Sequence, residues 1–307
     1  MAIDDLVGRA RDGSQRALGR LLSIAEAGGP RASELDSLSG TGTHAHIVGL
    51  TGSPGVGKST LTSALLEQLQ NGGRRIAVVA VDPTSPRSGG AILGDRIRIQ
   101  PAGLAGGTFV RSVASRGALG GLSISVRRML RVLEASAFTM VILETVGVGQ
   151  IEIDIAAVAD TVVMVLAPGW GDGVQAEKAG LLEVADVFVV NKADRDGLDA
   201  TLRDLRGMLA LGSEVDWTPP IISTVATTCT GVDKLVAAIE QHAEFLAAGD
   251  RLSQRRFRGR QNEVSELALE RLKAMVERAV ANTPEEGSVS EAVDAALAQL
   301  GVTLRAQ

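Results

Sequence analysis

An α/β fold with a mostly parallel sheet is predicted by three features of this 307-residue chain. Apolar runs rich in small and β-branched residues recur from residue 45 to 226: AHIVGLTG, RIAVVAVD, FTMVILET, DTVVMVLAPG, DVFVVNKAD and PPIISTVA. Runs without polar alternation belong to strands covered on both faces. Segments with helical spacing separate most of these runs, and strand-helix-strand order implies right-handed crossovers in a parallel sheet. Aromatic residues make up only 2% of the sequence and tyrosine is absent, so alanine, valine, leucine and isoleucine must pack the core.

Taken in order, residues 4–27 read as a pair of helices. Ala17, Leu18, Leu21, Leu22 and Ile24 recur at helical spacing, and Gly28 with Gly29 ends the run. The polar link GPRASELDSLSGTGTH has room for one short helix. The strands then alternate with KSTLTSALLEQLQNGG, GLSISVRRMLRVLEASA, VQAEKAGLLEVA, LDATLRDLRGMLAL and GVDKLVAAIEQHAEFLAAG, all helical in pattern. Beyond residue 250 a long charged helix is expected through RLSQRRFRGRQNEVSELALERLKAMVERAVA. NTPEEGS breaks it, and VSEAVDAALAQLG forms a last helix capped by Ser288 or Ser290. The expected organisation is an N-terminal helical extension over 1–40, a nucleotide-binding domain over 41–248 and a C-terminal helical extension over 249–307. Arg251, Arg255, Arg256, Arg258 and Arg260 crowd the start of that extension, as a solvated face near another subunit or as a patch that binds a partner or an anion.

The bulk numbers exclude several classes. A net charge of −5 and a pI near 5.4 argue against a nucleic-acid binder. The single cysteine, Cys229, excludes an internal disulfide and a thiolate cluster, and three histidines are few for a metal relay. The first residues carry acids and no apolar core of a leader, and no run is long enough to span a bilayer. A soluble, cytoplasmic protein with no membrane or nucleic-acid partner is expected.

The strongest local signal is GSPGVGKS, Gly52 to Ser59, which matches G-x-x-x-x-G-K-[ST] between a strand and a helix. In that setting backbone N–H groups turn inward around phosphates, Lys58 reaches the outer phosphates and the Ser59 hydroxyl can ligate Mg²⁺. NKAD follows a later buried strand, and its Asp194 can accept from the N–H donors that guanine presents and adenine lacks. The combination points to GTP and GDP with Mg²⁺. Asp82 ends the second strand and suits metal-bound water, while Asp95 lies past a glycine pair and suits a segment that approaches metal with the triphosphate. Glu144 ends a third apolar strand, three residues before Gly147. Its carboxylate could serve the metal side, position the attacking water, or simply finish the strand.

Together, GSPGVGKST, VDPTSPRSGGAILGDR, RSVASRGALGG, ILETVGVGQ, PGWGDGVQAEK and NKAD resemble the MeaB/ArgK/MMAA family of P-loop GTPases, over nearly the whole chain. The resemblance implies a P-loop NTPase G domain of the SIMIBI-like kind. It also implies GTP hydrolysis that gates adenosylcobalamin loading or protection of an acyl-CoA mutase, with methylmalonyl-CoA mutase first among the partners. By this resemblance Gly52, Ser53, Pro54, Gly55, Val56, Gly57, Lys58, Ser59 and Thr60 form the phosphate loop. Ser59, Asp82, Asp95 and Glu144 surround the metal, Glu144 and Gly147 form the second switch, and Lys58, Glu144 and Asp95 carry the catalytic load. Asn191, Lys192 and Asp194 select guanine, and Ser223, Thr224, Val225 and Ala226 form the second base-contacting loop, where STVA departs from the usual serine-alanine pair. Gly169 to Lys178 matches a mobile switch, with Trp170 larger than the family position suggests. The family is dimeric through a C-terminal arm, and the same is expected here. Three other readings share this machinery: a metal-insertion GTPase, a kinase related to amino-acid transport, and a chaperone of isobutyryl-, 2-hydroxyisobutyryl- or ethylmalonyl-CoA mutase.

Overall fold

The computed structural model describes residues 1–38, 44–70, 73–82, 108–114, 124–145, 155–169, 184–210, 216–283 and 288–301, with the backbone alone at Asp82, Ala114 and Glu270. The chain forms two compact units, Met1–Arg256 and Phe257–Gln307. In the first, seven strands make one sheet: β1 (His46–Thr51), β2 (Ile76–Asp82), β3 (Thr108–Ala114), β4 (Met140–Thr145), β5 (Thr161–Leu166), β6 (Val187–Asn191) and β7 (Ile221–Thr224). Their order is β3-β2-β4-β1-β5-β6-β7, and every pair is parallel. The six expected strands are present. β3 was not expected; among the described strands it stands at one end of the order, paired with β2, and TFVRSVA mixes apolar and polar residues without the continuous apolar run of the other strands.

The helices of this unit are α1 (Ile3–Arg11), α2 (Gln15–Ala27), α3 (Pro30–Ser33), α4 (Lys58–Gln70), α5 (Ile124–Ala135), α6 (Leu198–Ala210) and α7 (Val232–Ala247) among the described residues. Strand residues alternate between two cores, as the pleat requires. Val141 and Leu143 of β4 join Ala77, Val79, α1, α2 and α5 on one face. Met140 and Ile142 join Val48, Leu50, α4 and α7 on the other. Residues 1–38 therefore share a core with the sheet. A third cluster, Met164, Leu166, Phe188 and Val190, is covered by Leu205 of α6.

At the amino ends of the strands, charge replaces apolar packing. α8 (Arg251–Ala281) begins in this unit. Arg255 pairs both guanidinium nitrogens with Asp186 at 3.0 and 2.8 Å, and Arg256 pairs with Asp160 at 2.9 and 2.6 Å. Both carboxylates also accept strand N–H bonds, Asp160 from Ile47 and Asp186 from Val162. Between them His46 Nε2, Thr161 Oγ1 and His242 Nδ1 form a chain of 2.8 Å bonds, and His242 Nε2 lies 3.3 Å from Asp186. Burial lowers the pKa of both imidazoles, that of His242 to about 4. Two of the five crowded arginines are thus internal partners of the sheet, and two of the three histidines are packing residues.

In the second unit α8 continues to Ala281 and is followed by α9 (Val289–Gln299). Ser288 is the cap of α9, and it forms a reciprocal capping box with Glu291. Val264, Leu269, Leu272, Met275, Val276 and Val280 of α8 are exposed. No helix among the described residues is long and apolar enough to cross a membrane.

Candidate nucleotide site

The site gathers at the carboxyl ends of the strands, where ligand loops collect in open parallel sheets. The segment from Gly52 to Gly57 joins β1 to α4, with positive φ at Gly52, Gly55 and Gly57. Two of these glycines are also required by space. A Cβ at Gly52 would overlap the Val165 carbonyl oxygen, and one at Gly57 would lie 2.5 Å from Asn191 Nδ2. The first N–H groups of α4 open toward this loop, which is a favourable place for phosphate.

Lys58 is only 6% exposed, and its ammonium donates to the carbonyls of Gly52 at 2.5 Å and Ser53 at 3.1 Å. Ser59 Oγ donates to Glu144 Oε1 at 2.6 Å, and Thr62 Oγ1, one turn further along α4, donates to Glu144 Oε2 at 2.9 Å. Glu144 is 7% exposed. Its place is set by β4, which pairs Glu144 with Leu50 on one side and Ala80 on the other. A hydroxyl and a carboxylate in contact beside an N–H cradle make an oxygen-only donor set, which fits Mg²⁺ and does not suit a soft metal.

The NKAD segment meets the glycine loop directly. Asn191 Nδ2 donates to the Val56 carbonyl at 2.9 Å, and Asn191 Oδ1 accepts from Thr224 Oγ1 and the Ala226 N–H, both at 3.1 Å. Lys192, at φ 58°, donates to the Gly55 carbonyl at 2.5 Å. Asp194 is exposed beside them. The loop Ser223 to Ala226 is anchored at its base, since the Ala193 N–H donates to the Thr224 carbonyl at 3.0 Å.

The structure thus brings together the phosphate loop, Glu144, Asn191, Lys192, Thr224 and Ala226. Asp82 stands at the end of β2 next to β4, described in its backbone alone. Asp95, Gly147 and the segment from Trp170 to Lys178 lie outside the described residues. One site residue escaped the sequence reading: Thr62, fully buried, three positions after Ser59. Its signal was a hydroxyl on the Ser59 face of a helix whose buried positions after Lys58 are otherwise apolar.

The family described as "Methylmalonyl Co-A mutase-associated GTPase MeaB" matches residues 18–281. This chain belongs to the MeaB/ArgK/MMAA family of P-loop GTPases. A protein of Pyrococcus horikoshii named as a GTPase is 47% identical over 262 residues, which are 83% of this chain and 82% of that protein. The Escherichia coli GTPase ArgK is 35% identical over 257 residues, 80% of this chain and 77% of ArgK. A crystal structure of an LAO/AO transport system kinase superposes with a TM-score of 0.72 at 26% identity, covering 98% of each chain. The family's G domain, with its parallel sheet and helical extensions, is the fold described above.

Proposed function

We propose that this member of the MeaB/ArgK/MMAA family hydrolyses GTP and uses its nucleotide state to gate cofactor loading or protection of a cobalamin-dependent acyl-CoA mutase, methylmalonyl-CoA mutase first. The observation that carries the guanine-nucleotide reading is the Asn191 bridge from the guanine motif to the Val56 carbonyl, which ties base selection to phosphate binding. The mutase is suggested by the description of the matching family.

In this reading the glycine loop and the α4 N-terminus hold the phosphates, and Lys58 leaves the Gly52 and Ser53 carbonyls to take the β- and γ-phosphate oxygens. Ser59 would hold Mg²⁺ with Glu144, Asp82 and Asp95 around it, and the ion would neutralise charge on the phosphates. Water attacks the γ-phosphorus in line, the bond to the β–γ bridging oxygen breaks, and GDP and phosphate leave. Asp194 accepts from the guanine N–H donors, and the Ser223 to Ala226 loop closes the base from the other side. Glu144 and Gly147 form the second switch, with Gly147 toward the γ-phosphate, and the segment from Gly169 to Lys178, with Trp170, presents nucleotide state to the mutase. Residues 249–307 form a homodimer arm, for which the exposed apolar residues of α8 offer a surface. The setting is cytoplasmic.

The kinase reading has support in the name of the similar crystal structure. A metal-insertion role has less: among the described residues no group of three His, Cys, Asp or Glu could hold a metal ion, and burial and Glu67 hold the Cys229 thiol above its usual pKa.

The test is GTP hydrolysis by the purified protein with and without methylmalonyl-CoA mutase, combined with co-elution under GTP, GDP and Mg²⁺. Acceleration with nucleotide-dependent association supports the proposal. Transfer of labelled γ-phosphate to an amino acid or protein, in place of release as free phosphate, favours the kinase.

A further inference from the structure

Glu144 has two possible tasks at a GTPase site, supporting the metal or positioning the attacking water, and the side chain that decides between them is on α4. We infer that Thr62 is a positioning residue: it pins the Glu144 carboxylate against α4, so that Glu144 serves the Ser59 metal position and is withheld from the attacking water. The inference rests on the GTPase reading above.

A serine hydroxyl has one proton and two lone-pair sites. Ser59 already gives its proton to Glu144 Oε1 at 2.6 Å, so its lone pairs are available to a cation without breaking that bond. Metal binding at Ser59 and the Ser59–Glu144 bond therefore reinforce each other. The second bond, from Thr62 Oγ1 to Oε2 at 2.9 Å, holds the other carboxylate oxygen against the same helix, because residues three apart lie on one face.

Burial gives this second bond its strength. Thr62 has no exposed surface and Glu144 is 7% exposed, so a carboxylate oxygen that lost Thr62 would lose a donor in a place with little water. Reaching toward a γ-phosphate would cost Glu144 both hydroxyl bonds. Thr62 lies outside the phosphate-loop motif, so its polar side chain at a buried helix position needs another reason, and Glu144 supplies one.

The experiment compares wild type with Thr62→Val and Thr62→Ser, using release of a fluorescent GDP analogue as a function of Mg²⁺, beside steady-state GTP hydrolysis. Valine keeps the shape and removes the donor; serine restores the donor. Thr62→Val is expected to need about 10-fold more Mg²⁺ for half-maximal slowing of release, with release in EDTA unchanged, as found when outer-shell partners of metal ligands are lost. Its hydrolysis should recover at saturating Mg²⁺, and Thr62→Ser should behave as wild type. If valine prevents folding, as thermal melting would show, Thr62→Cys carries the same test, because it donates weakly and should give a smaller shift in the same direction. An unchanged Mg²⁺ midpoint overturns the inference. So does a fall in kcat that saturating Mg²⁺ does not restore, which would assign Glu144 to the attacking water. A wild-type protein that binds no guanine nucleotide sinks the GTPase reading and this inference together, whereas normal wild-type binding beside an indistinguishable Thr62→Val sinks the inference alone.

Discussion

Replacing Asn191 by alanine tests whether the guanine motif and the phosphate loop act as one unit. Asn191 is 2% exposed and uses both ends of its amide. Its orientation is fixed by its partners, since the Ala226 N–H can only donate and the Val56 carbonyl can only accept. Truncation leaves the Ala226 N–H without this acceptor and strips one donor from Val56, while the Thr224 hydroxyl can rotate to another acceptor. With about 1–2 kcal/mol for each of the two groups left unmatched, the lower part of the usual range, the loss is about 2–4 kcal/mol. For a unit of this size that corresponds to a fall in Tm of about 4–16 °C. If half of the loss falls on the alignment that nucleotide requires, GDP affinity drops about 5- to 30-fold. Calorimetric titration with GDP and Mg²⁺, beside a thermal melt of the free protein, reads both quantities. A variant that melts early yet binds GDP within twofold of wild type would refute the coupling and leave Asn191 as packing alone.

Two further outcomes follow from the same geometry and from the base of the sheet. Asp194→Asn replaces an acceptor with an amide that can donate to the additional oxygen of xanthine, so competition binding should show preference moving from GDP to xanthosine diphosphate; retained GDP preference would separate Asp194 from base recognition. His242, with a native pKa of about 4 against an ordinary 6.5, takes up its proton more readily unfolded than folded. Its contribution is therefore fully present above about pH 6.5 and is lost as pH falls toward 4, by up to about 3 kcal/mol before allowance for screening. Denaturant unfolding across that range should show the slope, and His242→Gln should flatten it.

The glycine loop between β1 and α4, the placing of NKAD at the end of a buried strand, and the buried strands themselves were legible because each is local: a fixed spacing, a glycine at a forced φ, an apolar run. What escaped depended on distance along the chain. β3, TFVRSVA, has neither a continuous apolar run nor a period of two, and its strand character shows only in its pairing with β2. Asp160 and Asp186 each look like a turn residue before a strand, and only folding brings Arg255 and Arg256 to them. Thr62 was visible as an anomaly in α4, but its meaning required Glu144, 82 positions away.

The two ends of the sheet hold their charges in different ways, and this difference has a measurable consequence. At the carboxyl end, Lys58 on loop carbonyls and Ser59 on Glu144 are contacts that phosphate and metal can exchange for their own. At the amino end, Asp160 is 1% exposed and accepts from Arg256 twice and from Ile47 N–H, leaving nothing for a ligand to replace. Asp160→Asn removes the charge that Arg256 matches. Breaking a buried pair costs about 3–5 kcal/mol, and because a quarter of the Arg256 side chain is exposed the loss here should be nearer about 2–3 kcal/mol. Since no exchangeable contact is touched, GDP affinity well below the melting transition should stay within about twofold, a change below 0.5 kcal/mol. Unlike Asn191→Ala, Asp160→Asn should therefore lower Tm without lowering affinity. If binding falls with stability in Asp160→Asn, the amino-end charges are coupled to the nucleotide site and the division between the two ends is wrong.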